Sequence, residues 1–500
     1  MSSRMPLWLP ILVGLGVLIG HNQSFYPWTL DDAFITFRYA ENFANGNGPV
    51  YNPGERVEGY TTFLWMAILA ISHSLGANTV IAAKTIGGVL TCLTLAMVTF
   101  SYRFIPGITP RVGAAAGLLL GTSAIVSRWA LSGMEVPLVT CLTTITVLLH
   151  LQDKRDIQHT ALIGFLAALT MMSRPDAGLV FGVLFLDRVW RKDWKHLICL
   201  TSVFLCVFGA YFAWRLSYYG WLLPNTFYVK VGSTTAQIQR GLTYLLQFFT
   251  PGWFLMLCAM LSLRLIKKLP TRMGVITLLI GLHTAYVVLV GGDVFWGYRF
   301  FAAHIPLLSL LAAATLVTFS NRWFWGLVSI GVTMNLYWLV SSDQLNADGL
   351  VSNRGIDVGF WLKKHAPEDA LLATNIAGSI PYYSELTTID TLGLNDVHIA
   401  HREIDNMGQG HAGHEKGDGD YVLSRAPDYV IFASSLGDQH PKFLGDRELF
   451  ENPEFHNAYD IHIYPIKSYR DLTVWVRRTD HGGKGIDIPP RRRISGSISN

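Results

Sequence analysis

Two adjacent carboxylates, Asp31 and Asp32, are the first residues of this 500-residue chain whose types and spacing could do chemistry. They stand just after a first hydrophobic segment, at the head of the stretch 29–65, TLDDAFITFRYAENFANGNGPVYNPGERVEGYTTFLW. Thr29-x-x-Asp32 reads as a capping box that starts a helix. Gly46-Asn47-Gly48-Pro49 stops that helix after about Ala44. Ala33, Phe37, Ala40 and Ala44 share one face, Arg38 and Asn42 lie opposite, and Phe34, Phe37, Tyr39 and Phe43 make the segment dense in aromatics. Such a helix suits the plane of a membrane surface. Paired acids on its tip then point to chemistry on something lipid-borne. The plain alternative is that both acids only complement the helix dipole. Neighbouring helix residues point in different directions, so one acid can cap the helix while the other faces a substrate.

The rest of the chain must hold those acids at a membrane. It is 51% hydrophobic and only 15% charged, with a mean hydropathy of +0.32. A soluble domain carries about a quarter charged residues. The net charge of +4 is too small to argue for nucleic acid. All five cysteines (Cys92, Cys141, Cys199, Cys206 and Cys258) fall in apolar segments, which speaks against a disulfide framework or a CxxC metal site. The N-terminus reads as an uncleaved first span. Segments long enough to span lie near 6–21, 80–101, 112–131, 135–151, 159–173, 177–190, 197–218, 243–263, 273–291, 300–319 and 323–341. Residues 60–75 form a further apolar run, and topology turns on it. If this run re-enters or lies in the interface, the short basic loops Arg103 to Arg111, Lys154-Arg155, Arg188 to Lys195, Arg264 to Arg272 and Arg322 all face the cytoplasm. The expectation is therefore an α-helical polytopic bundle, 1–341, of about eleven spans with its N-terminus inside. Its first external loop is 22–79.

With that parity the polar signatures gather on the outer face. They are Asp31-Asp32, Ser132-Gly133-Met134-Glu135, Ser173-Arg174-Pro175-Asp176, Leu223 to Lys230, and Gly291-Gly292-Asp293 with Tyr298-Arg299. Loops gathered on one face of a bundle build a site there. Trp28, Tyr60, Trp65, Trp221, Tyr228, Trp296 and Tyr298 fit an interfacial belt, with some free to stack on sugar faces.

The run Asp31-Asp32-Ala33-Phe34, Phe37-Arg38-Tyr39 and Tyr51-Asn52-Pro53-Gly54-Glu55-Arg56-Val57-Glu58-Gly59-Tyr60-Thr61 closely resembles the first external loop of polyprenyl-phosphate-sugar-dependent glycosyltransferases of the GT-C class. The resemblance is to the mycobacterial terminal β-(1→2) arabinofuranosyltransferase family and its bacterial homologues. It implies transfer of a sugar, arabinofuranose by analogy, from a polyprenyl-phosphate donor to a cell-envelope glycan or surface glycoprotein outside the bacterial cytoplasmic membrane. The paired acids are then catalytic. Asp31 is expected to take the acceptor proton. Asp32 assists an oxocarbenium-like sugar or binds a metal. The lipid phosphate that leaves must be met by cations, for which Arg174, Lys230 and Arg299 are the candidates, or by a divalent ion such as Mg²⁺, Mn²⁺ or Ca²⁺. Taken singly, each cation reads as a snorkelling interfacial residue. Arg38, Glu58, Tyr60, Glu135, Asn225 and Asp293 are expected to bind substrate. No nucleotide cofactor is expected.

After about Val340 the chain turns polar, and residues 342–481 read as an extracytoplasmic α/β domain. Leu371 to Thr374, Thr387 to Asp390, Tyr429 to Phe432 and Leu472 to Val476 are expected strands, with a short helix around Ile380. Residues 482–500, with Pro489-Pro490-Arg491-Arg492-Arg493, are expected to form a mobile basic tail. The loop 408–418 is the most polar stretch. The spacing of His411, His414 and Glu415 is poor for zinc, so His414, Glu415 and Lys416 are expected to contact the acceptor. A transporter or flippase of lipid-linked sugar would put acids in mid-span, whereas here they sit at loop–span junctions. A mere anchored glycan-binding module would not need so many spans.

Overall fold

The computed structural model describes residues 8–25, 28–152, 154–232, 234–270, 272–295, 297–341, 347–405, 407–467 and 470–495. Trp296 and residues 496–500 of the expected tail lie outside them. Each apolar segment read from the sequence carries helix. Among the described residues, four helices are long and apolar enough to cross a membrane: Thr79–Thr99, Trp194–Tyr219, Thr235–Lys268 and Asn321–Val340. The pair Pro110–Gly121 and Ala124–Ala130, bent by 64°, makes a fifth if counted as one span. Shorter apolar helices, such as Val136–Leu151, Ile157–Ser173, Met273–Leu289 and Ile305–Leu316, accompany them. The run on which topology turned is the helix Phe63–Ser74 of 12 residues. At about 1.5 Å per residue it spans roughly 18 Å, short of a bilayer core of about 30 Å.

The helix Asp31–Ala44 ends where expected but differs in its start and its surroundings. Its N-cap is Leu30, which has no side chain to cap with, and the Thr29–Asp32 capping box does not form. It does not lie on a membrane surface with one face exposed. Ala33 to Ala40 are all buried, including Arg38 on the side expected to be polar. The helix packs on Phe63–Ser74 and on the helices 347–365 and 379–384 of the C-terminal region, which cover its other side.

That region is built on one mixed sheet. Its strands are β1 (Leu371–Thr374), β2 (Thr387–Asp390), β3 (Tyr429–Ile431), β4 (Tyr459–Lys467), β5 (Arg470–Arg477) and β6 (Arg492–Ile494), in the order β2-β1-β3-β5-β4-β6. β1 runs parallel to β2 and β3, while β5, β4 and β6 pair antiparallel. Helices cover both faces over two apolar clusters, one around Leu362, Ile380 and Val474, the other around Ile399, Phe455 and Trp475. The expected tail is a correction: Ile494 pairs with Ile461 and Arg492 with Ile463, and Arg493 reaches Asp460 at 2.6 Å. The ordering comes from ladder hydrogen bonds and that ion pair, which a basic composition does not announce.

Arg38 ties bundle and sheet region together. Its Nε donates to the Tyr51 carbonyl at 2.7 Å, and Nη2 donates to Asn52 Oδ1 at 3.2 Å and the Leu386 carbonyl at 2.8 Å. Nη1 donates to the carbonyl of Pro381. Tyr51 Oη donates to the Ala377 carbonyl at 2.7 Å, and Asn52 exchanges hydrogen bonds with the backbone of Thr388 at 2.9 and 3.1 Å. Removing the guanidinium would orphan several buried carbonyls at about 1–3 kcal/mol each. Arg38→Ala should therefore lower stability by about 3 kcal/mol or more. In detergent its melting temperature should drop, and limited proteolysis should release the 347–495 region far faster than from the parent.

Candidate functional site

Where the bundle helices end beneath the sheet region lies a cavity of about 320 Å³. The lining comes from six separate stretches of the bundle: Asp32, Ile35 and Thr36; Gly59 to Thr62; Met134 and Glu135; Arg174 to Asp176; Leu223 to Val231; and Tyr286 to Phe300. Leu394 and Ala412 of the sheet region complete it. Of the residues singled out from sequence, Asp32, Tyr60, Glu135, Arg174, Lys230, Asp293 and Arg299 meet here. Thr36, Thr62, Asp176 and Tyr286 join them. Asp176 was legible as part of the Arg174-Pro175-Asp176 turn, but the others carry no signal apart from the fold.

The two adjacent aspartates part company. Asp31 turns away, and its carboxylate accepts from Gly378 N at 3.1 Å, from Ser379 N at 2.9 Å and from Ser379 Oγ. A Cβ on Gly378 would come within 2.0 Å of the Asp31 carbonyl, so only glycine permits this approach. Burial raises the Asp31 carboxyl to about 6, against the pull of the Ser379 hydrogen bonds. Asp32 faces the cavity. Among the described residues it makes no hydrogen bond or ion pair.

The cations sort in the same way. Arg174 donates to Glu135 Oε1 at 2.7 Å and forks onto Asp176 at 2.9 and 3.3 Å. Arg299 forks onto Asp293 at 2.9 and 3.1 Å. Lys230 makes no ion pair or hydrogen bond among the described residues, and its charge is felt by Arg299, Asp32, Asp293 and Arg174. Burial, and then Arg299, hold its ammonium below the usual lysine value. Among the described residues, subtracting the internal pairs leaves one free carboxylate and one free ammonium in the cavity, Asp32 and Lys230.

The remaining expected contacts are corrections, because the fold itself uses those side chains. Arg38 is the clamp described above. Glu58 is buried against Arg215 (Nε to Oε1 3.0 Å), an arginine within the helix 194–219 whose charge in an apolar segment was a readable signal. Asn225 Nδ2 donates to the carbonyls of Gly393, Leu394 and Asp396 at 2.8, 3.0 and 3.1 Å and pins that turn to the bundle. Lys416 Nζ donates to the Ala400 carbonyl at 2.6 Å. Glu415 accepts from Gly408 N and Gly410 N, both at 2.7 Å, and from Arg240 at 3.0 Å, which ties the glycine-rich loop to the bundle. His414 Nδ1 lies 3.2 Å from the Ala412 carbonyl. Burial lowers its pKa, and it lies within electrostatic reach of Asp32 and Lys230. A divalent ion does not fit the present donor set. Among the described residues no three His, Cys, Asp or Glu side chains are grouped to hold one, and every cavity carboxylate except Asp32 already has an arginine.

A domain family described as "Domain of unknown function (DUF8728)" matches residues 343–484. The chain is 30% identical over 267 residues to a terminal β-(1→2)-arabinofuranosyltransferase of Mycobacterium tuberculosis, covering 50% of this chain and 42% of that protein. It is 25% identical over 336 residues to the protein of the same name from Corynebacterium glutamicum, covering 58% and 48%. The matched parts thus span less than half of those relatives. Among solved structures, ArnT from Cupriavidus metallidurans superposes with a TM-score of 0.61 at 12% identity, over 95% of this chain and 99% of that one. The same protein bound to undecaprenyl phosphate gives 0.60 at 14% identity, with the same coverage. An Archaeoglobus fulgidus oligosaccharyltransferase gives 0.55 at 10% identity, over 97% and 75%.

Asp31 makes a separate prediction. The folded-state value of Asp31, about 6, lies above its ordinary 3.8. The stability tied to its neutral form is whole below pH 4 and is lost as pH rises through 6. Asp31→Asn should flatten the pH dependence of the melting temperature between pH 4 and 7.

Proposed function

We propose that this chain, which has the GT-C glycosyltransferase fold, moves a sugar from a polyprenyl monophosphate to a glycan or glycoprotein hydroxyl at the outer membrane surface. The observation that carries this is the residue left over in each charge class: among the described residues, one unpaired carboxylate and one unpaired ammonium in a single cavity where the bundle ends. Arabinofuranose is the donor sugar favoured by the two curated relatives. The bound lipid of the ArnT structure supports a lipid phosphate as the carrier.

Asp32 is the general base in this reading. It accepts the acceptor's hydroxyl proton while the acceptor oxygen bonds to C1 and the C1–O bond to phosphate breaks. The bond electrons leave with the phosphate oxygen. Lys230 meets that charge directly, and Arg174 and Arg299 add a field held steady by their carboxylate partners. Asp31 fixes the helix from which Asp32 projects. This reverses the expected order of the two acids. Tyr60 and Tyr286 offer flat walls to the sugar, and Thr36 and Thr62 offer hydroxyls. The loop charges read in the sequence support the outer face, and the resemblance supports the cytoplasmic membrane.

Purified full-length protein should transfer labelled arabinofuranose from its polyprenyl monophosphate to an arabinan acceptor. Asp32→Asn should lower kcat by about 10²–10⁴-fold, and Asp31→Asn should retain most of it. Equal transfer by parent and Asp32→Asn would overturn the assignment. A chelator arm reads any need for a divalent ion.

Lys230 gives the second test. Its cation is present below a pKa depressed from 10.5, so donor affinity should fall as pH rises through that lower value. Lys230→Arg should carry that alkaline limb to higher pH. Lys230→Ala should raise the donor KM by at least about tenfold, in keeping with the loss of a charge-assisted bond of roughly 1.5–3 kcal/mol.

A further inference from the structure

Behind the cavity wall sits a polar pair that the proposed chemistry does not use. Asp176 Oδ2 holds Arg174 Nη2 at 3.3 Å and lies 3.4 Å from Nε2 of His283. His283 belongs to the helix Met273–Leu289. Its ring stacks on that of His304, with centroids 4.0 Å apart and planes inclined by 29°. The two are 1% and 4% exposed. Among the described residues, Nδ1 of His283 has no hydrogen-bond partner, and the ring of His304 has only the backbone of Ala303 to bond.

Packing alone does not account for this pair. Each unmet buried polar group costs about 1–3 kcal/mol, and two apolar rings would fill the same space without that cost. Ionisable side chains inside an apolar bundle mark functional positions. Among the described residues, the side-chain contact the pair makes leads to the cavity: His304 stacks on His283, His283 faces Asp176, and Arg174 forks onto Asp176 and holds Glu135 with its other edge. A carboxylate facing an arginine only accepts hydrogen bonds, so Nε2 of His283 carries the hydrogen it gives to Asp176. Asp176 sits on a single 3₁₀ turn, Pro175–Ala177, and such a short turn does not by itself fix the direction of a carboxylate.

We propose that His283, backed by His304, is a positioning residue that fixes Asp176 and through it aims the Arg174 guanidinium at the donor phosphate. This rests on the functional reading above. It extends that reading to two residues that touch neither substrate nor the reacting atoms.

The test measures binding of a sugar-free polyprenyl monophosphate alongside kcat and donor KM in transfer, with melting temperature as a control. His283→Ala should weaken lipid-phosphate binding and raise donor KM by about tenfold or more, as loss of a supporting shell does elsewhere, with a smaller change in kcat. His283→Gln, which keeps an N–H toward Asp176, should restore most of the affinity. His304→Phe, which keeps the stacked ring, should bind like the parent, whereas His304→Ala should not. In an Asp176→Asn background, His283→Ala should add no further loss. Unchanged binding and KM in His283→Ala, with the parent active, would overturn the inference alone. So would equal losses in His283→Gln and His283→Ala that track melting temperature. A parent that neither binds nor transfers would overturn the functional reading and this inference with it.

Discussion

The structure depends on how the helix Asp31–Ala44 is held. At 3.6 residues per turn, adjacent side chains stand about 100° apart. Once Gly378 and Ser379 capture Asp31, the rotation of the helix is set and Asp32 has one direction left, into the cavity. Seven residues on, Arg38 fastens the same helix to the carbonyls of Pro381 and Leu386. Two anchors nearly two turns apart on one helix suppress both rotation and tilt. A carboxylate held in this way keeps its direction without a hydrogen-bond partner of its own.

The cavity follows a similar logic of exclusion. Its carboxylates and cations stand close in a largely buried space, where unpaired charges interact more strongly than in bulk water. Most are neutralised in pairs: Arg174 with Glu135 and Asp176, Arg299 with Asp293. Pairing fixes each guanidinium in a forked geometry and lowers the cost of its burial. What remains ungrouped is what a ligand can use. The sheet region adds no charge to this wall. It contributes Leu394 and Ala412, each brought in by a loop that a bundle side chain holds: Asn225 grips the turn 393–396, and Arg240 grips Glu415. Gly59 shows how close the two halves come, since a Cβ there would meet Asn395 Oδ1 at 1.9 Å. The two halves therefore form one site, and the outer region is part of its construction.

Much of this was legible in the sequence. Long apolar runs could only become helices in a membrane. The strands Leu371–Thr374 and Thr387–Asp390 announced themselves through β-branched, apolar residues bounded by polar turns. The first external loop carried a pattern long enough to identify a resemblance, and the cations at loop–helix junctions marked one face of the bundle. β4 was hidden by His462 and Pro465 inside its run, and β6 by the arginines that compose it. In both cases pairing with a neighbour, which local composition does not encode, decides the outcome.

The sequence by itself determined which residue types gather at one end of the bundle, because hydrophobic length and loop polarity fix where each junction can lie. Tertiary structure decided which of them are free. Asp31 and Asp32 are chemically identical neighbours, and the docking of Ser379 on Asp31 separates the anchored acid from the one that faces the cavity. Arg38, Asn225, Glu58 and Lys416 were as plausible as Lys230 for binding a substrate, until distant backbone carbonyls and the buried Arg215 claimed them. A polar side chain serves as a site or as a clamp according to whether a partner lies within about 3 Å of it, and partners tens to hundreds of residues away are brought there by the fold alone.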